Sequence, residues 1–238
     1  MSNYENIFKA AAEGTVEDLK FFLEKKGGSI NDKDENGWIP LHHAAKQNKN
    51  IKVLEYLVAQ GSDVNTLSSS GRTPLHTASQ SNENIEAFEY LISKGANIHT
   101  KNNDGDTSLH DAAAWNSNPE VLKYLISQGL DVNTRNNKNN TPLHSFCLFN
   151  SSLEVLNFLI SVKADLNSRA EDGSTPLITY LTRKNSNVEI VKFLVSSGAD
   201  ISIKDNYGAN CIGIAKIVGK ETGDLSIFEF LSSINTNK

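Results

Sequence analysis

The sequence predicts an all-α solenoid of stacked helix–turn–helix units joined by β-hairpin-like loops, on three observations. Gly37, Gly71, Gly105, Asn139 and Gly173 lie 34 residues apart, and Gly208 follows after 35. Pro40, Pro74, Ser108, Pro142 and Pro176 keep the same step, as do His42, His76, His110 and His144 until Ile178 breaks that column. Between these markers the apolar residues fall at helical rather than alternating spacing. A fixed period of this length marks an array in which no unit buries its apolar face alone, so neighbours must stack.

Each element of the unit has a local cause. In Gly71-Arg72-Thr73-Pro74-Leu75-His76-Thr77-Ala78, Gly71 supplies a turn where positive φ is easy. Thr73 caps a helix that begins at Pro74, where a missing N–H costs nothing. That helix is expected to run to about Gln80, with Ala78 and Ser79 small enough for close packing. Asn48, Asn82, Asn116 and Asn150 then share a column, which reads as a left-handed C-terminal cap. A second helix follows, as in Ile85–Ile92, and the series Gly61, Gly95, Gly129, Lys163, Gly198 ends it. The polar stretch from Ala96 to Asn103 turns into the next unit.

Gly-x-Thr-Pro-Leu-His, Ala-Ala and Leu-Ile-x-x-Gly-Ala-x-Ile resemble the ankyrin repeat, best at Gly71–His76, Asn140–His144 and Gly173–Leu177. The likeness covers essentially residues 4–234, with one residue more than the family's usual period, placed between the two helices at Asn48-Lys49-Asn50 and its equivalents. A single domain is expected: an N-terminal cap at 1–33, internal repeats at 34–67, 68–101, 102–135, 136–169 and 170–204, and a C-terminal cap at 205–238. The last cap has Asn210-Cys211-Ile212-Gly213 where the motif should stand, and is expected to hold a longer loop at Gly219–Asp224.

Composition bounds the function. The chain has 238 residues, 38% of them hydrophobic, and a formal net charge of -5; its mean hydropathy is -0.38 and its pI about 5.7. That charge speaks against a nucleic-acid partner, which needs a dense positive face. With no apolar run near the length of a membrane span and no basic, apolar leader at Met1–Asn6, a membrane partner is not expected. Two cysteines, Cys147 and Cys211, cannot build a disulfide framework and suit a reducing compartment. A cytoplasmic monomer is expected, or a secreted effector if the source is microbial.

Candidate chemistry reduces to structure at each point. One histidine per repeat puts successive imidazoles roughly 10 Å apart, too far to share a metal whose ligands lie about 2 Å from one centre. The ankyrin resemblance implies that this histidine hydrogen-bonds between neighbouring turns. His144 and Cys147 form an i, i+3 pair, with His110 and Asp111 the other candidates for an enzyme site. However, Cys147 stands in the small-residue column of Ala45, Ser79 and Ala113, as a buried hydrophobe would. Gly213–Glu221 imitates a phosphate loop with the wrong spacing and Glu221 where a hydroxyl should bind magnesium. Tyr56, Tyr90, Tyr124, Phe158 and Phe193 read as core between the second helices. No catalytic residue, metal or cofactor is expected.

The columns that vary are informative. After the hairpin glycine stand Trp38, Arg72, Asp106, Asn140, Ser174 and Ala209; near the end of the first helix stand Lys46, Gln80, Ala114, Leu148, Thr182 and Gln47, Ser81, Trp115, Phe149, Arg183. The ankyrin resemblance implies that partners lie along a concave groove formed by hairpin tips and first helices. Trp115, Phe149 and Leu148 then read as an apolar hot spot, with Asp104, Asp106 and Asp111 on one side and Glu171 and Asp172 on the other. The expected partner is a protein with an apolar anchor flanked by Lys or Arg, and Trp38, Arg72, Asn140 and Arg183 complete the candidate surface. Such a chain acts as a non-enzymatic adaptor; the alternative is a microbial effector or toxin-neutralising protein that blocks a host or client enzyme. The column Asn65, His99, Asn133, Asn167 is expected to hold the hairpins in register.

Overall fold

The computed structural model describes residues 3–235. The first two residues of the expected N-terminal cap and the last three of the C-terminal cap lie outside the described residues. Fourteen helices, and no strand, are found among the described residues; one isolated antiparallel bridge joins Lys204 and Asn210. The short first helices are α1 (Ile7–Glu13), α3 (Pro40–Gln47), α5 (Pro74–Ser81), α7 (Ser108–Trp115), α9 (Pro142–Phe149), α11 (Pro176–Leu181) and α13 (Cys211–Thr222). Each is followed by its second helix: α2 (Val16–Lys25), α4 (Ile51–Ala59), α6 (Ile85–Ser93), α8 (Pro119–Ser127), α10 (Leu153–Ser161), α12 (Val188–Ser196) and α14 (Ser226–Asn235).

The helices group into two compact units, Met1–Leu130 and Asp131–Lys238. In the first, α1, α3, α5 and α7 pack in succession, and α2, α4, α6 and α8 do the same beside them. In the second, α11 packs on both α9 and α13, and α12 on α14. The cores are built from the same columns: Leu41, Leu75 and Leu109 with Leu57, Leu91 and Leu125 in the first unit, Leu143 and Leu177 with Leu159 and Leu194 in the second. Burying one such side chain stabilises by about 1.5–3 kcal/mol, so a run of leucines at one register is what makes each helix pair depend on its neighbour.

The hairpin glycines adopt the left-handed conformation expected of them, with φ between 72° and 83° from Gly37 to Gly208, and Asn139 does so in their place at φ 58°. At Gly71 space also demands glycine, because a Cβ would sit 2.9 Å from the backbone nitrogen of Asn103 in the next hairpin. Lys163 takes the place of a glycine in the second series at φ 64°.

Three expectations are corrected. The asparagines that close the first helices are extended rather than left-handed: Asn48, Asn82, Asn116 and Asn150 have φ between -96° and -74°. In Asn82 the side chain explains the residue better. Its Nδ2 donates to the Ala45 carbonyl of the preceding repeat at 2.8 Å, and its Oδ1 accepts from the Asn84 N–H at 2.9 Å. Asn84 then caps α6 by accepting from the Glu86 N–H. Asn-x-Asn is therefore a linker that ties one repeat to the last and starts the second helix. In the C-terminal repeat, the loop expected at Gly219–Asp224 is mostly helix. The helix α13 runs on through Gly213 and Gly219 and ends at Gly223, at φ 80°.

The aromatic column of the second helices, Tyr56, Tyr90, Tyr124, Phe158 and Phe193, is also half-buried rather than core. The phosphate-loop look-alike, Gly213–Glu221, lies wholly within α13, with Gly219 packed against Asp224 and Leu225.

Candidate functional site

The histidine column is resolved as a structural device. Thr73 and His76 show its parts: the threonine N–H lies 3.3 Å from Nδ1 and its hydroxyl 2.8 Å, while Nε2 meets the Asp106 carbonyl of the next hairpin at 3.1 Å. His42 reaches the Arg72 carbonyl in the same way at 3.0 Å, and His144 the Ser174 carbonyl at 3.2 Å. A backbone donor at Nδ1 and a carbonyl at Nε2 select the neutral ring with its proton on Nε2. Burial pushes His42, His76 and His144 down to about 4, against the smaller raising effect of the accepting carbonyl. Their nitrogens are committed to backbone, and among the described residues no group of three or more His, Cys, Asp or Glu could hold a metal ion.

Cys147 is completely buried, and burial raises its thiol far above the ordinary range. Cys211 is likewise pushed up to about 12 by burial. Neither is placed to be a thiolate nucleophile. His43 pairs with Asp34 at 2.9 Å, under the Trp38 ring, rather than joining His42.

The variable columns fall into two sets. Several members are occupied within the fold. Trp38 packs on His42 and His43, with the Lys46 ammonium 5.1 Å from its ring centre. Asp111, expected on an acidic rim, is only 3% exposed; it lies against Arg72 of the preceding hairpin, with Nε 3.4 Å from Oδ2, and accepts from Gln80 at 3.3 Å. Arg72 and Asp111 thus lie against each other within the first unit. Arg183 donates to the Asn150 carbonyl at 2.6 Å and the Cys147 carbonyl at 3.4 Å, while stacking on Tyr180. Those carbonyls correspond in register to Asn82 and Ser79, which Asn116 serves in the first unit. Arg183 replaces the linker asparagine where its column reads Lys184.

The other set is more exposed. Trp115, the last residue of α7, is 53% exposed; Phe149, the last residue of α9, is 50% exposed. Leu148 is half-buried, Asp104 is exposed, and Asp106 and Asn140 are partly covered. Trp115 belongs to the first unit and Leu148 and Phe149 to the second. Glu171 and Asp172 are exposed on a hairpin of the second unit, where they line a polar cleft of about 390 Å³ with Lys138, Asn140 and Tyr207. A larger open groove, about 740 Å³, lies on the second helices of that unit between Leu153, Phe193, Phe230 and Ile234.

Some residues of structural weight carry no motif. Arg135 links its own hairpin to the next through the Asn139 and Arg169 carbonyls, and Arg169 repeats the reach to Lys204. The 34-residue spacing of the two arginines was the available signal. Of the column Asn65, His99, Asn133 and Asn167, the three asparagines hold hairpins in register, each donating to a carbonyl of the next loop and accepting from its N–H.

Comparison with known proteins agrees with this geometry. The family described as ankyrin repeats (3 copies) matches residues 7–102, 69–136 and 109–205. The chain belongs to the ankyrin repeat family. A solved structure of similar fold is the human ASB11 ankyrin repeat domain, with a TM-score of 0.72 and 21% sequence identity over 89% of this chain and 91% of that one. No curated protein matches the sequence. Ankyrin repeats generally mediate protein–protein interaction, and no described helix is long and apolar enough to cross a membrane.

Proposed function

We propose that the chain is a non-catalytic adaptor that binds another protein through its hairpin tips and the exposed ends of its first helices. The observation that carries the reading is the exposure of Trp115 and Phe149. Each ends a first helix with half its surface open, at a column filled by Gln47 and Ser81 in the two preceding repeats. Large aromatic residues left half exposed in an otherwise polar column mark anchors for a partner. Short helices and linked hairpins hold these side chains in place before the partner arrives, which lowers the ordering cost of association.

The partner offers an apolar anchor with Lys or Arg beside it, and the acidic residues available to meet such cations are Asp104 and Asp106 in the first unit and Glu171 and Asp172 in the second. Asp111 is no part of that rim. The buried, unpaired cysteines suit a reducing compartment, in keeping with a cytoplasmic monomer.

The test is affinity capture from native lysate, comparing the wild type with the Trp115→Ala/Phe149→Ala double variant after circular dichroism has shown both folded. A partner retained by the wild type should bind the double variant with affinity reduced by about 30-fold or more, the effect of losing roughly 2 kcal/mol at a hot spot. Equal capture by both proteins would move the binding site away from these residues.

A further inference from the structure

Asp111 is a carboxylate in a column that otherwise holds His43, Thr77, Ser145 and Thr179. It lies on the first turn of α7, 3% exposed, and its compensation is poor for an anion so far from water. Gln80 of α5 donates to Oδ1 across a long 3.3 Å. Arg72 approaches Oδ2 at 3.4 Å, but out of line, so its Nε and the carboxylate Oδ2 both remain without a hydrogen bond. Asp106, from the hairpin before α7, adds a second negative charge facing the first. The other titratable groups of this neighbourhood are His76 of α5 and His110 of α7 itself, each with Nδ1 held by a threonine N–H.

We propose that this cluster is an acid-sensitive latch. One proton taken from solvent by the Asp111 carboxylate removes the charge that draws the Arg72 guanidinium inward, and Arg72 turns toward solvent. Among the described residues, the other end of the guanidinium is held only by Ser70, which accepts from Nη1 at 3.2 Å, and the side chain is already 22% exposed. Nothing covalent changes; one carboxylate becomes one carboxyl group. Burial shifts the group in the required direction, raising Asp111 to about 6 against the opposing pull of Arg72 and Gln80. His76 titrates separately, pushed down to about 4 by burial. Arg72 stands in the variable column after the hairpin glycine, so its release changes the charge displayed on the face assigned to the partner. That consequence rests on the adaptor reading; the latch itself does not.

The experiment is an NMR titration of the full chain from about pH 7.5 to about pH 5, following the Asp111 carboxyl carbon and the Arg72 Nε–H together. Both signals should move with one midpoint near 6, and the Arg72 movement should vanish in Asp111→Asn. A second variant, Gln80→Ala, removes a donor that favours the ionised form and should move the midpoint upward. An Arg72 signal that stays flat while Asp111 titrates overturns the latch, as does an Asp111 midpoint in the ordinary carboxylate range or one unmoved by Gln80→Ala. No partner enters the measurement, so its failure leaves the adaptor reading standing, and failure of the capture experiment leaves the latch standing.

Discussion

Lys163 and Ser108 show how single positions depart from their columns at a measurable cost. Lys163 holds φ at 64° where its equivalents are glycines, and a side chain in that region is strained by about 1 kcal/mol. Lys163→Gly should raise stability by about that amount, read as a higher denaturant midpoint at unchanged slope. Ser108 opens α7 where the other internal repeats place proline, and its buried hydroxyl has no hydrogen-bond partner. Thr107 before it is already extended, at φ -90° and ψ 169°, as a residue preceding proline must be. Ser108→Pro should therefore stabilise by about 1 kcal/mol, through a less flexible unfolded chain and removal of an unsatisfied group. A lower midpoint would mean that the hydroxyl or the Ser108 N–H has a role in the folded protein. The columns were legible in the sequence, and so were these two exceptions; the hydroxyl left without a partner was not, since that depends on what surrounds it.

At the scale of the element, the connection between helices matters more than the helices. An isolated eight-residue helix is far below the length that is stable in water, so α5 persists because its ends are tied. Its start is fixed by Thr73 and His76, its end by Asn82. Asn82→Ala would leave the Ala45 carbonyl without that donor and free the N-terminal turn of α6, at a cost of about 1–3 kcal/mol. Thermal or denaturant unfolding of the variant checks this, and a loss below about 0.5 kcal/mol would show the linker to be dispensable. The Asn-x-Asn pattern was visible as a column, but its reading as a left-handed cap was wrong. Backbone conformation and a side-chain bridge to the previous repeat both favour asparagine, and one chain read alone does not separate them. Arg183 makes the same point, since it meets the same pair of carbonyls from a neighbouring position.

For the whole molecule, pH dependence follows from the buried titratable groups. His42, His76 and His144 have folded values near 4, below the unfolded 6.5. Their neutral forms contribute stability that is fully present above 6.5 and lost as pH falls from 6.5 to 4, on the order of 3 kcal/mol for each. Asp111 works in the opposite direction. Its folded value near 6 exceeds the unfolded 3.8, so the folded state holds the extra proton between them and gains stability as pH falls through that window. Three histidines outweigh one aspartate, and the protein should lose stability on acidification from pH 7 to about pH 5. Asp111→Asn removes the opposing contribution, so its loss over the same interval should be steeper. Denaturant titrations at both pH values decide it; a wild type that gains stability at the lower pH would reverse the assignment of the histidines as neutral and buried.

The period, the helix pairs, the glycine turns and the threonine caps were legible in the chain alone, because each is a local preference repeated along the chain and reinforced by every copy. The sequence also marked Trp115 and Phe149 as apolar residues in polar columns, and both remain half exposed. Which variable residues are covered within the fold follows from packing across repeats alone. Arg72, Asp111 and Arg183 stand in columns that read as surface, yet each finds its partner in a neighbouring repeat more than thirty residues away. Such pairings depend on the reach of one side chain across the stack and on the charge it meets there, and neither a period nor a propensity contains that information.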